Sequence, residues 1–367
     1  MKIRYLDLSR SNNKNLKKQI LNLKKFLLNG NLMMGKIVEK LEKKVCKYIG
    51  TKYCIAVSSG TNALYLSLKS LGIKKNDEII VPAISWYSTF TAAAFTGAKI
   101  VPADIDDDLI LNFEKLEKLV NKKTKAIIVV HFNGYFKNID TLRKFCKKKN
   151  IYLVEDAAQA FGTKNKNKYA GSTSDVAAFS VNPMKVFSGF GELGLVTTSQ
   201  KSIYNKIKMY RYAGLKKKKE FECFTPELNH KADEIQAILI LEKFKTLKKI
   251  IKKRIEIAKY YNSNITNKVT KPLYLSNFQH NYYNYTLNVG SQRNKLLKYL
   301  NKKKIETKVQ HTKTVLDHKG LINFSIKKKI INADKLKKQI ISIPIHENLK
   351  QKEIKYIVKS INNFFAK

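Results

Sequence analysis

Short apolar strands and amphipathic helices alternate through the first two-thirds of this chain, and this alternation limits the possible folds more than any other feature. The run Cys54–Ser59 predicts a strand, and the following segment, SGTNALYLSLKSLG, predicts an amphipathic helix. Further strands are predicted at Glu78–Ala83, Ile151–Ala157, Ala177–Val181 and Leu193–Thr198. Because continuous apolar strands separated by helices indicate a sheet covered on both faces, the sequence predicts an α/β domain.

The pattern changes near Asp233. The segment DEIQAILILEKFKTLKKIIKKRIEIAKYYN has apolar residues at helical spacing and predicts one long helix. A second set of elements follows, with NYYNYTLNV and IISIPIH as strands and with NKLLKYLNKKKI and KEIKYIVKSINNFFA as helices. A length of 367 residues also exceeds what one small core needs. We therefore expect a large domain with an N-terminal arm over residues 1–245 and a smaller α+β domain over residues 246–367.

A formal net charge of +44 is typical of proteins that bind nucleic acids or anionic membranes. Only six of the 72 basic residues are arginine, however, and the lysines are spread along the chain. Specific nucleic-acid readers use arginine for bidentate contacts. We therefore interpret the charge as solvated surface and expect no nucleic-acid partner, with a basic nucleic-acid-binding protein as an alternative of another class.

The sequence shows no sign of a membrane or metal partner. No run of about 18 or more apolar residues predicts a membrane-spanning helix, and the first residues lack the apolar stretch of a secretory signal. Cys46, Cys54, Cys146 and Cys223 form no CxxC pair and no cluster with histidine. We therefore expect a cytoplasmic protein with no zinc site and no disulfide framework.

One lysine is distinguished by its surroundings. Lys185 lies in FSVNPMKVFSGFGELGLVTT, between two predicted strands and beside a glycine-rich stretch, where a lowered pKa would let the amine form a Schiff base. Asp156 and Gln159 lie at the end of a predicted strand in VEDAAQAFG. An acid can pair with the pyridine nitrogen of pyridoxal phosphate, and an amide can donate near its phenolic oxygen. The turn Ser59–Asn62 opens a helix and offers backbone N–H groups to a phosphate.

Each of these elements alone also fits a surface lysine, an ion pair or a helix cap. Their order along the chain, however, resembles the DegT/StrS family of pyridoxal-phosphate-dependent sugar aminotransferases. The resemblance begins at GKIVEKLEKKVCKYIGTKYCIAVSSGTNAL, continues through NDEIIVPAISWYSTFTAAAFTGAKIVPADID, VEDAAQAFG and FSVNPMK, and ends at SIPIHENL. It implies the fold type I (aspartate-aminotransferase-like) architecture, in which a large mixed-sheet α/β/α domain precedes a smaller C-terminal α+β domain.

The resemblance also implies roles for individual residues. Lys185 corresponds to the lysine that binds the cofactor and moves the proton between substrate and cofactor. Asp156 corresponds to the acid paired with the pyridine nitrogen, Gln159 to the amide near the ring oxygen, and Trp86 to an aromatic residue stacked on the ring. The residues implied for the cofactor phosphate are Gly60, Thr61, Asn62 and Ser180.

Other correspondences concern the partner subunit and the substrate. Asn229 corresponds to an asparagine that reaches the cofactor phosphate from the neighbouring subunit, which implies a homodimer with shared active sites. His230, His311 and His346 align with loops near the family's substrate sites. The chain departs from the family pattern at LNHKAD, which replaces a commoner N-x-R-M arrangement, so the correspondence of Asn229 depends on fewer residues than that of Lys185.

The implied reaction moves an amino group from glutamate to a keto sugar nucleotide. The segments NPMKVFSGFGELG, RYAG and LNHKADEIQAILIL are most similar to the branch that aminates C4 of a UDP- or GDP-linked 4-keto-6-deoxy-N-acetylhexosamine for surface-glycan or amino-sugar biosynthesis. A 3-keto deoxysugar nucleotide and a keto-inositol are alternative acceptors. A catalytically silent regulatory protein of the same fold is a further alternative, which the presence of Lys185, Asp156 and Gln159 disfavours.

Overall fold

The computed structural model describes residues 2–12, 16–30, 32, 35–215, 222–273 and 278–366. The α-helices in those residues are α1 (Leu8–Asn12), α2 (Leu16–Leu28), α3 (Lys36–Ile49), α4 (Gly60–Ser70), α5 (Tyr87–Phe95), α6 (Asp140–Lys148), α7 (Lys201–Arg211), α8 (Glu234–Asn264), α9 (Arg293–Lys302), α10 (Ile331–Gln339) and α11 (Gln351–Ala366). The strands there are β1 (Tyr53–Val57), β2 (Glu78–Pro82), β3 (Lys99–Ala103), β4 (Thr124–Val130), β5 (Tyr152–Asp156), β6 (Lys164–Asn165), β7 (Lys168–Tyr169), β8 (Val176–Ser180), β9 (Gly194–Thr198), β10 (Phe278–Gln279), β11 (Tyr285–Asn288) and β12 (Ile340–Ile343).

Within the described residues, seven strands form one mixed sheet in the order β1-β9-β8-β5-β4-β2-β3. The strands β8, β5, β4, β2 and β3 run parallel, whereas β9 is antiparallel to both of its neighbours, β1 and β8. The carboxyl ends of parallel strands meet at one edge of a sheet, which is where open α/β proteins bind ligands. The predicted α/β class with a large mixed sheet is confirmed.

Helices cover both faces of this sheet, and β8 shows how. Its residues Val176 and Ala178 pack in a core that also includes residues of α4 and α5, whereas Ala177 and Phe179 pack in a second core with residues of α3 and α8. Successive side chains of a strand point to opposite faces, so a strand that is apolar throughout serves both cores at once. The continuous apolar runs of the sequence have this origin.

The helix α8 extends from the sheet into a third core. Its first half packs through Ala237 and Ile240 against the sheet, and its second half packs through Ile257 and Tyr261 with β11, β12, α9 and α11. Ile3, near the N-terminus, joins this third core beside Ile305. The predicted division between residues 245 and 246 therefore falls inside one continuous helix, and it stays a prediction.

Two glycines allow α4 to begin against the strand ends of the sheet. A Cβ on Gly60 would lie 2.5 Å from Cβ of Ser180, the last residue of β8, and a Cβ on Gly194 would lie 2.0 Å from the carbonyl oxygen of Ser59. Both distances are shorter than real Cβ contacts, so only glycine fits without a shift of the backbone. The first turn of α4 is thereby held beside the end of β8.

Across the part of the chain that the structure describes, no helix combines the length and the apolarity needed to cross a membrane.

Candidate active site

A cavity of about 650 Å³ lies where β5, β8 and the first turn of α4 meet. Its volume falls within the range of about 300–1,000 Å³ typical of small-molecule sites. The predicted site residues that line it are Gly60, Thr61, Trp86, Asp156, Gln159, Ser180, Lys185 and His311. The structure therefore brings together residues that are up to 251 positions apart in the sequence.

Lys185 lies in the loop that follows β8. Its backbone N–H donates to the carbonyl of Asn182 at 3.0 Å, and this turn directs the chain back towards β9. The Lys185 ammonium lies 4.6 Å from the ring centroid of Tyr283, which also lines the cavity. A cation above an aromatic face is electrostatically favourable, so this contact positions the amine within the cavity.

Asp156 is the last residue of β5 and is buried. One carboxylate oxygen accepts a hydrogen bond from the Thr89 hydroxyl at 2.7 Å, and the other accepts from the Ala158 N–H at 3.2 Å. Burial raises the pKa of Asp156. The hydrogen bonds from Thr89 and Ala158 and the positive charges of Lys185 and His131 lower it, but they only partly offset the effect of burial. A buried carboxylate in this position lacks a full counter-charge. A protonated pyridine nitrogen would supply one, so Asp156 fits the predicted cofactor.

A buried hydrogen bond between His131 and Glu155 stabilises the strand end that carries Asp156. The Nε2 atom of His131 lies 2.7 Å from a carboxylate oxygen of Glu155, and both side chains are fully buried. Glu155 also accepts backbone N–H groups from Gly171, Thr173 and Ser174. The hydrogen bond and charge of His131, followed by that of the Gly171 N–H, lower the pKa of Glu155 in spite of its burial.

The first turn of α4 and the end of β8 form a cradle for an anion. Ser59 caps the helix by accepting the Asn62 N–H at 3.1 Å, and the Thr61 hydroxyl donates to the Ser88 hydroxyl at 2.9 Å. Ser180 lies directly against Gly60. Because a helix N-terminus carries partial positive charge and unpaired N–H groups, this cradle fits a phosphate. The backbone N–H of Asn62 already donates to the Ser59 hydroxyl, and Asn62 is not among the residues that line the cavity.

Gln159 and Trp86 occupy other parts of the cavity wall. The side-chain oxygen of Gln159 accepts the Asn133 N–H at 2.7 Å, which orients the amide. Trp86 precedes α5, is 50% exposed and lies 4.5 Å from the Tyr87 ring, measured between centroids. A half-exposed indole at the rim of a cavity has a face available for stacking against a planar ligand.

The predicted histidines divide into one inside the cavity and two outside it. His311 lines the cavity 4.7 Å from the Phe132 ring, and burial lowers its pKa to about 4, so the imidazole is neutral at physiological pH. His230 lies instead beside Glu227, with Nε2 3.2 Å from a carboxylate oxygen. His346 is buried near Arg254, and burial lowers its pKa.

Asn229 also lies outside this cavity. It is exposed, and its side-chain oxygen accepts the Lys231 N–H at 3.2 Å. An exposed position is compatible with a contact to a second subunit, and Asn229 is not among the residues that line the cavity of its own chain.

Several residues of the cavity were not predicted from the sequence. They are Ser85, Ser88, Thr89, Asn182, Glu192, Tyr283, Lys308 and Gln310. The polar run SWYSTF, which begins three residues after the end of β2, is a signal that could have indicated Ser85 and Thr89. Tyr283, Lys308 and Gln310 come from beyond α8, and no local pattern marks them.

Comparisons with known proteins cover nearly the whole chain. The profile of the DegT/DnrJ/EryC1/StrS aminotransferase family matches residues 13–362. The GDP-perosamine synthase of Escherichia coli O157:H7 is 29% identical over 90% of this chain and 91% of its own length. The UDP-4-amino-4,6-dideoxy-N-acetyl-beta-L-altrosamine transaminase of Campylobacter jejuni is 30% identical over 94% of both chains. The dTDP-3-amino-3,6-dideoxy-alpha-D-galactopyranose transaminase of Aneurinibacillus thermoaerophilus is 28% identical over 99% of both.

Experimental structures have the same fold. The Streptomyces venezuelae protein DesV, crystallised in complex with a ketimine intermediate, superposes with a TM-score of 0.95 at 25% identity over 100% of this chain and 99% of its own. Helicobacter pylori PseC, an aminotransferase involved in the biosynthesis of pseudoaminic acid, superposes with a TM-score of 0.89 at 26% identity over 100% of both chains. The predicted fold type I architecture is confirmed.

Proposed function

We propose that this chain uses glutamate to aminate C4 of a UDP- or GDP-linked 4-keto-6-deoxy-N-acetylhexosamine. The chain belongs to the DegT/DnrJ/EryC1/StrS aminotransferase family and is a pyridoxal-phosphate-dependent transaminase of nucleotide sugars. The observation that carries the chemistry is the meeting of an amine, a buried acid and an anion cradle in one cavity, at Lys185, Asp156 and the Gly60–Ser180 contact. A product of this kind serves surface-glycan or amino-sugar biosynthesis.

The described residues offer a partner for each polar group of pyridoxal phosphate. Asp156 would face the ring nitrogen, Gln159 the ring oxygen and Trp86 the ring face, while Gly60, Thr61 and Ser180 would hold the phosphate. When bound, the cofactor supplies an electron sink for the carbanion formed at the carbon that loses a proton. Asp156 supports this role by keeping the ring nitrogen protonated.

Lys185 would move the proton. The Lys185 amine would move a proton between the substrate carbon and the cofactor, from the α-carbon of glutamate to the cofactor in the first half-reaction and from the cofactor to C4 of the sugar in the second. A single base can serve both half-reactions because both donor and acceptor react beside the same amine. Tyr283, 4.6 Å away, would keep the freed ammonium within the cavity.

The cavity wall formed by residues that come after α8 in the sequence suits the sugar nucleotide. Lys308 and Gln310 line this wall beside the neutral His311. An ammonium attracts a diphosphate, and the amide and the imidazole can form hydrogen bonds with sugar hydroxyl groups. The net charge of +44 would also steer an acidic ligand towards the protein.

The assignment of C4 is supported by one relative. The Campylobacter jejuni protein, 30% identical over 94% of both chains, is named for a UDP-linked 4-amino sugar with an N-acetyl group. The Aneurinibacillus thermoaerophilus protein, 28% identical over 99% of both, is named for a dTDP-linked 3-amino sugar and makes a 3-keto nucleotide the second candidate acceptor.

A homodimer with shared active sites is part of the proposal. Asn229, which is exposed on its own chain, would contact the cofactor phosphate of the partner. Apolar side chains exposed on α2, including Ile20, Leu21 and Leu28, offer surface that a second subunit could cover.

The test offers glutamate and a panel of 3-keto and 4-keto nucleotide sugars to the holoenzyme. Mass spectrometry would detect replacement of the ketone oxygen by an amino group, and NMR of the product would locate it. We expect amination of a UDP- or GDP-linked 4-keto-6-deoxy-N-acetylhexosamine. Amination confined to 3-keto nucleotides would contradict the assignment of C4 while leaving the transaminase activity in place.

A further inference from the structure

A second, smaller cavity adjoins Lys185 on the side of α8. It has a volume of about 200 Å³, and residues along its wall include Leu6, Lys185, Phe190, Lys243, Arg254 and Glu347. Lys185 therefore lies between this cavity and the larger one. A cavity of this volume has room for several water molecules. It is too small for a nucleotide sugar and suits part of a small metabolite.

The charges around this cavity do not balance. The Arg254 guanidinium donates to the backbone carbonyls of Tyr282 and Ile345 at 3.0 and 2.8 Å, and it forms an ion pair of 3.1 Å with Glu347. Glu347 is thus already held by Arg254. The Lys243 ammonium lies 3.9 Å from the other Glu347 oxygen, which is longer than a hydrogen bond. Two cations on α8 therefore share one carboxylate.

Lys243 is also poorly solvated. Its side chain is only 16% exposed. Burial lowers the pKa of Lys243, the charge of Glu347 opposes this effect, and the charge of Arg254 adds to it. A buried Lys243 ammonium lowers the stability of the fold unless an anion forms hydrogen bonds with it in place of the lost water.

We propose that the smaller cavity is the donor pocket, in which Lys243 binds a carboxylate of the amino donor. This inference builds on the proposed function, since it concerns the first half-reaction at Lys185. A dicarboxylic amino acid carries its amine and its carboxylates within a few bonds of one another. An anchored carboxylate beside Lys185 would place the amine at the site of reaction, while the sugar nucleotide uses the larger cavity. Arg254 acts indirectly, as a positioning residue that keeps Glu347 from neutralising Lys243.

The test measures binding rather than turnover. Glutarate, a five-carbon dicarboxylate without an amino group, would be titrated calorimetrically into the holoenzyme and, in parallel, into the protein without cofactor. We expect Lys243→Met to weaken glutarate binding about tenfold or more, because a charge-assisted hydrogen bond is lost. Lys243→Arg should restore much of the affinity. Lys245→Met removes a lysine from the exposed side of the same helix, where it pairs with Glu242, and should bind glutarate as the wild type does.

Misfolding of the variant can be recognised. Lys243→Met removes an ammonium whose pKa is lowered by burial, so its melting temperature should equal or exceed that of the wild type. In steady-state kinetics, the KM for glutamate should rise while the KM for the keto sugar stays unchanged.

The possible outcomes separate this inference from the proposed function. Glutarate binding that is unaffected by Lys243→Met, or absent from the wild type, would overturn the donor pocket. A variant that loses affinity for UDP but not for glutarate would assign the pocket to the nucleotide, and this would overturn it too. If glutarate binding follows Lys243 but no keto sugar is aminated, the donor pocket stands and the proposed acceptor fails.

Discussion

The carboxylate of Asp156 accepts a hydrogen bond of 2.7 Å from the hydroxyl of Thr89. Asp156 ends β5, and Thr89 lies in the first turn of α5, which follows β2. Thr89 in turn lies 2.7 Å from the Ser85 hydroxyl, oxygen to oxygen. Because two separate elements fix this carboxylate, its orientation is set before any ligand binds, and the site is preorganised.

Asp156→Asn should keep the hydrogen bond with Thr89 and lose the negative charge. We expect the rate of the glutamate half-reaction to fall by on the order of 10²–10³, because the charge that stabilises a protonated ring nitrogen is gone. Stopped-flow absorbance of the holoenzyme with glutamate measures this rate. Asp107→Asn, at an exposed position, should react like the wild type. A fully active Asp156→Asn enzyme would show that this carboxylate has no electrostatic role.

Gly60→Ala tests the close contact between α4 and β8. The added methyl group would lie 2.5 Å from Cβ of Ser180, so the cradle must open. We expect the free energy of unfolding to fall by about 1–3 kcal/mol and cofactor affinity to fall with it. Denaturant titration and a cofactor titration measure the two effects. Gly320→Ala is the matched control, because its methyl group would meet no atom within 4 Å and should change stability by less than about 0.5 kcal/mol.

His311 should make the protein less stable in acid. Burial lowers the folded-state pKa to about 4, from an ordinary value of about 6.5, so the unfolded chain binds more protons between these values. Stability is therefore lost as the pH falls from about 6.5 to about 4. His311→Gln should remove on the order of 2–3 kcal/mol of that loss, as measured by urea unfolding across this range. His318→Gln, at a half-buried position, should remove less; equal slopes for wild type and His311→Gln would contradict the prediction.

Shared active sites should allow two inactive variants to complement each other. Lys185→Ala removes the base, and we expect loss of at least about 100-fold in activity. Asn229→Ala should remove a contact with the cofactor phosphate in the partner's site and leave that site inactive. Coexpression of the two variants would give mixed dimers in which one site has both residues, and random assembly predicts recovery of about a quarter of wild-type activity. Activity assays of the coexpressed and separately purified proteins provide the comparison, and the absence of recovery would place Asn229 outside the partner's site.

Much of the candidate site could be predicted because its residues follow strand ends. Asp156, Ser180 and Lys185 lie at or just beyond the carboxyl ends of β5 and β8, and neighbouring parallel strands necessarily bring such positions together. The apolar runs that mark these strands are visible in the sequence. The local sequence pattern therefore predicts both the fold class and the half of the cavity that is formed by these strand ends.

The other half could not be predicted because it depends on contacts between distant segments. Tyr283 and Lys308 reach the cavity only through the packing of the elements beyond α8. The position of His230 also depends on the three-dimensional path of the chain, which places its ring beside Glu227 and outside the larger cavity; its role at the substrate stays a prediction. At Asn62, the Ser59 hydroxyl competes with the predicted phosphate, since the backbone N–H of Asn62 already donates to that hydroxyl.

The 31-residue helix α8 ties the two ends of the molecule together. At 1.5 Å per residue it is about 45 Å long, and its two halves belong to different cores. It also carries Lys243 and Arg254. Among the described residues, α8 itself joins these two cores as one continuous helix, so a change in their relative position would have to tilt or bend this helix. Lys243 and Arg254 are therefore held on a helix anchored at both ends, beside the same cavity as Lys185, and a donor that is one carbon longer or shorter than glutamate should react more slowly.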